Sequence, residues 1–215
     1  MIQKNITVTK TARYFIQGEV SENIEQVWFV CHGYGELAFY FSKKFEALKN
    51  DKTLIVAPEA LNRFYRNGFT GKVGASWMTS EERSTEISDY INYLNAVYSE
   101  ILSALKNKKV KINILGFSQA SATVCRWVAN GMVNPDNLII WAGFFPHDTD
   151  YENTRNLFIK ANAQIVIGKN DEFYTSEKIQ EHMDLLKEKG VQCKLTLFEG
   201  GHEIHLPTLQ ALVLN

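Results

Sequence analysis

The sequence predicts an α/β fold, with a mostly parallel sheet and helices on both faces. Three observations carry this. From about residue 26 onward, strand-like and helix-like patterns alternate, as they do in parallel α/β architectures. The strand-like runs are apolar throughout, as in strands covered on both faces. The composition, 45% apolar and 22% charged over 215 residues, is that of a chain that folds around a core. At this length one domain spanning 1–215 is expected, burying about 70% of the unfolded surface.

The front, Ile6 to Val20, alternates weakly and suits one or two antiparallel edge strands. Gln26 to Cys31 is the first buried strand, and Leu37 to Asn50 has helical spacing with Phe41, Phe45 and Leu48 on one face. Thr53 to Ala57 is a second buried strand, stopped by Pro58. A long amphipathic helix is expected from about Glu82 to Lys106, with Ile87, Ile91, Leu94, Val97, Ile101, Leu102 and Leu105 at three- and four-residue steps. Val110 to Leu115 reads as a strand and Gln119 to Asn130 as a helix closed by Gly131. Asn137 to Trp141 and Ala163 to Ile167 are further strands, Ser176 to Lys189 a helix ending at Gly190, and Cys193 to Phe198 the last strand. Pro207 suits the first turn of a final helix running towards Leu214. The stretch from Leu61 to Met78, with Gly68, Gly71 and Gly74 among aromatic residues, reads as an irregular loop, a lid or a pocket wall.

With 23 Lys+Arg against 24 Asp+Glu the net charge is −1, which removes the electrostatic case for nucleic acid or an anionic membrane as partner. The longest apolar run, Leu138 to Phe145, is far short of the ~20 residues of a membrane helix, and the N-terminus lacks the apolar stretch of a signal peptide. Cys31, Cys125 and Cys193 are odd in number, widely spaced and in apolar surroundings, so free thiols in a reducing, cytoplasmic compartment are expected.

Chemistry concentrates at strand ends. Gly116-Phe117-Ser118-Gln119-Ala120 places a serine between a buried strand and a helix, with small residues two positions either side. A sharp turn there exposes the hydroxyl beside a helix N-terminus, which favours a nucleophile over a simple helix cap. The base is expected at His202, on the glycine loop Gly200-Gly201 after the last strand, with His205 as rival; His182, mid-helix among charges, is expected to be solvated. No carboxylate or thiol cluster joins His202 and His205, so neither metal nor cofactor is expected. Asp171, four residues beyond a strand, is the favoured orienting acid, against Asp148, Asp150 and Glu172. Cys31-His32-Gly33-Tyr34-Gly35-Glu36 is a glycine-rich turn after the first buried strand, able to aim backbone amides at an oxyanion together with the amide of Gln119.

These segments resemble the phospholipase/carboxylesterase branch of the α/β-hydrolase superfamily, which includes bacterial carboxylesterases and acyl-protein thioesterases. The resemblance spans nearly the whole chain. It rests on His32-Gly33-Tyr34-Gly35, Gly116-Phe117-Ser118-Gln119-Ala120, Gly168-Lys169-Asn170-Asp171, Gly200-Gly201-His202 and the tryptophan segment Ala75-Ser76-Trp77. It implies an α/β-hydrolase fold without a large cap domain, with Ser118 as nucleophile, His202 as base, Asp171 as acid and the amides of Tyr34 and Gln119 as oxyanion hole. The chain order Ser, Asp, His is that of the superfamily. Two departures stand out: Ala120 where the family elbow usually ends in glycine, and Asn62 to Thr79, which follows no proline-rich family pattern.

The expected activity is therefore hydrolysis of a small carboxylic ester or thioester through an acyl-enzyme, without cofactor. Rival readings are a non-catalytic binding module on the same scaffold, and amide cleavage or acyl transfer by the same triad. Trp77, Phe64 and Phe173, with Tyr65, Phe69, Phe144, Phe145 and Tyr174, are expected to line an acyl pocket. Arg63 and Arg66 are candidates to meet an anionic group on the substrate.

Overall fold

The computed structural model describes residues 1–105 and 109–213. Its centre is a seven-stranded sheet built from β1 (Tyr14–Gln17), β2 (Gln26–Cys31), β3 (Thr53–Pro58), β6 (Lys111–Phe117), β7 (Asn137–Trp141), β8 (Gln164–Gly168) and β9 (Lys194–Phe198). The spatial order is β1-β3-β2-β6-β7-β8-β9. Only β1 runs antiparallel, pairing Tyr14 with Pro58 and Gln17 with Ile55; the other pairings are parallel.

The unbroken apolar character of the inner strands has a direct cause, because alternate residues feed two different cores. Val27, Phe29 and Cys31 of β2 join Ile112 and Ile114 of β6 on one face. There they pack under α2 (Arg83–Ala104), α3 (Gln119–Ala129), α4 (Tyr151–Lys160) and α5 (Ser176–Glu188), through side chains such as Leu94, Trp127, Phe158 and Leu186. Trp28 and Val30 point to the opposite face, with Leu115, Ile139 and Val166. That face is covered by α1 (Ala38–Ser42), the 3-10 segment Lys43–Leu48 and α6 (Leu206–Val213). Helices thus lie on both faces, as expected.

The structure differs from the sequence-based expectation in three places. The segment from Leu61 to Met78 is a hairpin rather than an irregular loop: β4 (Asn62–Asn67) pairs antiparallel with β5 (Thr70–Ser76), with a register irregularity between Tyr65 and Asn67. The hairpin is tied to the loop after β2, the Gly35 amide donating to the Ala75 carbonyl at 2.9 Å and the Ala75 amide to the Glu36 carbonyl at 3.0 Å. The polar stretch after β7 forms α4, capped by Asp150, whose side chain accepts from the Asn153 amide. The helical span after Leu37 is split, its second half tightening to 3-10 geometry while keeping Phe41, Phe45 and Leu48 buried. Lys106 and Leu214, the expected ends of two helices, lie outside the described residues. Among the described residues no helix is long and apolar enough to cross a membrane.

Candidate active site

The loops that follow β2, β6, β8 and β9 all leave the carboxyl edge of the sheet, where open α/β sheets place their ligands. β6 ends at Phe117 and α3 begins at Gln119, so the chain reverses within one residue. Ser118 takes φ +55° and ψ −116°, a strained conformation for an L-residue that costs on the order of 1–3 kcal/mol. Its neighbours hold it there. The Ser118 amide donates to the Trp141 carbonyl at 2.8 Å, and the Ser118 carbonyl accepts from the Ser121 amide at 3.0 Å. The Ser121 hydroxyl lies 3.0 Å from the Gly116 carbonyl and 3.1 Å from that of Trp141, stitching helix to sheet. A Cβ at position 116 would stand 2.3 Å from the Ala120 carbonyl oxygen, so only glycine lets helix and strand pass this closely. Ala120 itself is fully buried in the core beneath α3, so its methyl is absorbed by packing.

Ser118 Oγ lies 2.9 Å from His202 Nε2, and His202 Nδ1 lies 2.8 Å from Asp171 Oδ2. An ionised carboxylate only accepts, so the proton sits on Nδ1 and Nε2 is left to accept from the serine hydroxyl. The Asp171 side chain is wholly buried, and its other oxygen accepts from the Phe173 amide at 3.0 Å. The loops bearing acid and base meet at Gly168, where a Cβ would lie 2.4 Å from the carbonyls of Gly200 and Gly201. The His202 ring is walled by Phe117, at 5.0 Å between centroids, and by Phe173, edge-on at 4.8 Å. Such an array can move a proton from hydroxyl to imidazole while a carboxylate steadies the imidazolium.

Beside it, β2 delivers the turn His32-Gly33-Tyr34-Gly35. The Gln119 amide is the first of α3 and has no intrahelical acceptor. Among the described residues the Tyr34 amide likewise has no backbone acceptor. Two donors are therefore available near Ser118, an arrangement suited to a developing oxyanion. The sequence reading did not find what holds this turn. His32 is buried, its Nε2 accepts from the Ala60 amide at 3.1 Å, and its Nδ1 lies 2.8 Å from the Gly33 carbonyl. With Nε2 occupied as an acceptor, Nδ1 carries the proton and donates it to Gly33. The Gly33 carbonyl and the Tyr34 amide belong to one planar peptide, so fixing the former aims the latter. Burial holds the His32 pKa below the ordinary imidazole value, which keeps the ring neutral. The Gly33 amide donates to Glu36 Oε2 at 3.0 Å. Gln119 ties the elbow to the hairpin: its Oε1 accepts from the Trp77 amide at 3.1 Å and its Nε2 donates to the Met78 carbonyl at 2.9 Å.

The rivals for base and acid are engaged elsewhere. His205 bonds Thr208 Oγ1 at 2.8 Å and stacks on Phe198. Asp148 is paired with Arg83 and Arg126, Asp150 caps α4, and Glu172 is exposed. His182 is not solvated: it is 6% exposed, stacks on Phe144 at 4.2 Å and accepts from the Phe145 amide at 3.2 Å. Burial, with His147 nearby, lowers its pKa to about 4. Of the expected pocket aromatics, Phe64 stacks on Tyr34 at 5.2 Å, and Phe173 and Tyr174 flank His202. Trp77 and Phe145 are core residues instead. Trp77 is 1% exposed, with its indole N–H donating to the His32 carbonyl at 2.8 Å, so it supports the turn from below. Phe145 packs edge-on against Phe158. Phe69, 93% exposed, stands at the hairpin tip. Arg63 approaches Glu59 at 3.8 Å, which also holds Arg13.

Comparison with known proteins bears on the family and the fold. The family described as Serine hydrolase (FSH1) matches residues 26–213. No curated protein matches the sequence. Among solved structures, Zea mays acyl-protein thioesterase 2 is 16% identical, with a TM-score of 0.70 over 94% of this chain and 96% of its own. Esterase PE8 is 17% identical, with a TM-score of 0.70 over 95% and 99%. A phospholipase/carboxylesterase from Dyadobacter fermentans is 17% identical, with a TM-score of 0.67 over 98% and 100%. At these identities the likeness is one of fold, and the fold is that of an α/β-hydrolase.

Proposed function

We propose that this chain, which belongs to the FSH1 serine hydrolase family, cleaves carboxylic esters and thioesters through an acyl-enzyme on Ser118. The observation that carries the reading is the continuous hydrogen-bonded path from Ser118 Oγ through His202 to the buried Asp171 carboxylate, at 2.9 and 2.8 Å. In this reading Nε2 takes the hydroxyl proton as Ser118 attacks the acyl carbonyl, and returns it to the departing alcohol or thiol. Water, activated by the same nitrogen, then releases the acid. Asp171 keeps the imidazole in the tautomer that leaves Nε2 free. The amides of Tyr34 and Gln119 stabilise the oxyanion, each such donor being worth on the order of 3 kcal/mol at the transition state.

His32 acts in this scheme as a positioning residue through the Gly33–Tyr34 peptide. Phe64 and Phe173, the aromatic residues beside Tyr34 and His202, form the apolar approach to the serine. The free thiols of Cys31, Cys125 and Cys193 suit a reducing compartment, and the reading assigns the activity to the cytoplasm. The test is release of p-nitrophenol from short and medium acyl esters, together with labelling by a fluorophosphonate. Turnover and labelling are both expected from the wild-type protein and neither from Ser118→Ala. A folded wild-type protein that neither turns over nor labels would overturn the reading in favour of a binding module.

A further inference from the structure

Next to the oxyanion turn lies a groove of 510 Å³, between α1 and the β4–β5 hairpin, whose polar lining is mainly cationic. Lys44, Arg66 and Lys72 reach it, with Leu37 and Tyr40 supplying an apolar wall; Glu36 is its one acid. Both Glu36 oxygens are already committed, Oε1 to Lys44 at 2.8 Å and Oε2 to the Gly33 amide at 3.0 Å. Among the described residues neither Arg66 nor Lys72 has a carboxylate partner. Like charges gathered on one hairpin repel one another, and an anion between them would relieve this.

The groove is also placed for the reaction. A Cβ at Gly35 would lie 3.7 Å from Arg66 Nε, so the guanidinium lies against the residue that follows Tyr34. Lys44 Nζ sits 5.3 Å from the Phe117 ring, which in turn packs on His202 at 5.0 Å. A group held here would lie beside the β2 turn that carries Tyr34.

We propose that this groove is a subsite for an anionic group, a carboxylate or a phosphate, carried by the substrate a few bonds from the scissile carbonyl. The inference rests on the ester-hydrolase reading and names its substrate class. Arg66 supplies a planar fork of donors suited to either oxyanion, and Lys72 a mobile point charge.

The experiment compares kcat/KM for p-nitrophenyl hexanoate with that for the mono-p-nitrophenyl ester of adipic acid, of equal chain length but ending in a carboxylate. A second pair, 4-ethylphenyl acetate and 4-(carboxymethyl)phenyl acetate, puts the charge on the alcohol side instead. Inhibition of hexanoate turnover by adipate or by inorganic phosphate tells carboxylate from phosphate. Each pair is read as an anionic-to-neutral ratio on wild type and on the double variant Arg66→Gln/Lys72→Gln. In at least one pair the wild-type ratio should exceed one and fall about five- to tenfold in the variant, as two exposed cations allow. The wild-type preference should also shrink as ionic strength rises and the screening length drops below about 10 Å. Ratios that the substitutions leave unchanged in both pairs overturn the subsite alone. No turnover of any of the four esters overturns the ester-hydrolase reading, and the subsite with it.

Discussion

The two banks of the candidate site are built on opposite principles. The bank formed by the ends of β6, β8 and β9 is closed. Ser118 is pinned by the Trp141 carbonyl and the Ser121 amide, Asp171 is wholly buried, and glycines let the backbones touch. The opposite bank, made of the β2 turn and the hairpin, is rigid only underneath, where His32, Trp77 and Gln119 interlock. Above that layer it presents exposed Tyr34 and Tyr65, half-buried Phe64 and the exposed cations Arg66 and Lys72. Bond-making chemistry tolerates little displacement, whereas recognition of a variable substrate needs surface. The largely exposed hairpin is the part of the site that offers such surface.

The closed bank is the more sensitive of the two to substitution. Ser118→Ala should reduce p-nitrophenyl ester turnover by at least ~10⁴-fold while leaving the melting temperature within a few degrees, since one half-buried hydroxyl oxygen is all that is removed. Asp171→Asn should cost about 10⁴-fold in kcat by favouring the tautomer that places a proton on Nε2. A loss of less than tenfold in the Asp171 variant, measured under saturating ester, would move the acid role elsewhere.

The same contrast explains what could be read from sequence. Strands such as Thr53–Pro58 and Asn137–Trp141 announce themselves because both faces are buried and nearly every residue is apolar. Ser118 and Asp171 stand out because each follows such a strand, and His202 because it sits on the Gly200-Gly201 loop after the largely exposed β9; in the fold the three do meet through two hydrogen bonds. The hairpin escapes that logic. Most of β4 and the outer half of β5 are exposed, so apolar periodicity has nothing to report, although Asn67-Gly68 is a strong hairpin-turn dipeptide. Helix α4 buries only Tyr151 and Phe158 and so lacks an amphipathic stripe. His182 was masked by charged helix neighbours that face solvent, yet with Ile179 and Leu186 it occupies i, i+3 and i+7 of one buried face. The His32 lock depends on the Ala60 amide, 28 residues away, and no local pattern encodes it.

The layer beneath the open bank is where the two principles meet, and substitution of His32 sharpens the boundary. His32→Leu removes the donor to the Gly33 carbonyl and leaves the Ala60 amide unpaired. It should lower kcat by about 10- to 100-fold, short of deleting an oxyanion donor outright. His32→Asn can place an amide N–H near the former Nδ1 and should recover part of that loss. The decisive readout is the split between constants: kcat should fall with KM within about twofold, because the turn acts on the transition state more than on the bound ester. A matching rise in KM would show that the turn binds substrate rather than aiming a donor.

The smallest effect concerns stability rather than turnover, and it separates the buried histidines from the catalytic one. His32 and His182 both have folded pKa values lowered by burial, that of His182 to about 4, against an unfolded value near 6.5. Below pH ~6.5 the unfolded chain takes up protons that the folded chain refuses. Stability is therefore fully present above that pH and is lost as pH falls, by at most about 1.4 kcal/mol per pH unit for each histidine. The melting temperature should drop by several degrees between pH 7 and pH 4.5. His182→Gln, whose amide oxygen can still accept from the Phe145 amide, should flatten that slope while leaving ester turnover at pH 7 within about twofold, because His182 packs on Phe144 and Phe145 and has no hydrogen bond to the Ser118–His202–Asp171 path. An acid limb equally steep in this variant would shift the origin of acid sensitivity to His32 and the carboxylates. A large loss of turnover would instead tie the floor of the α5 side to the catalytic bank.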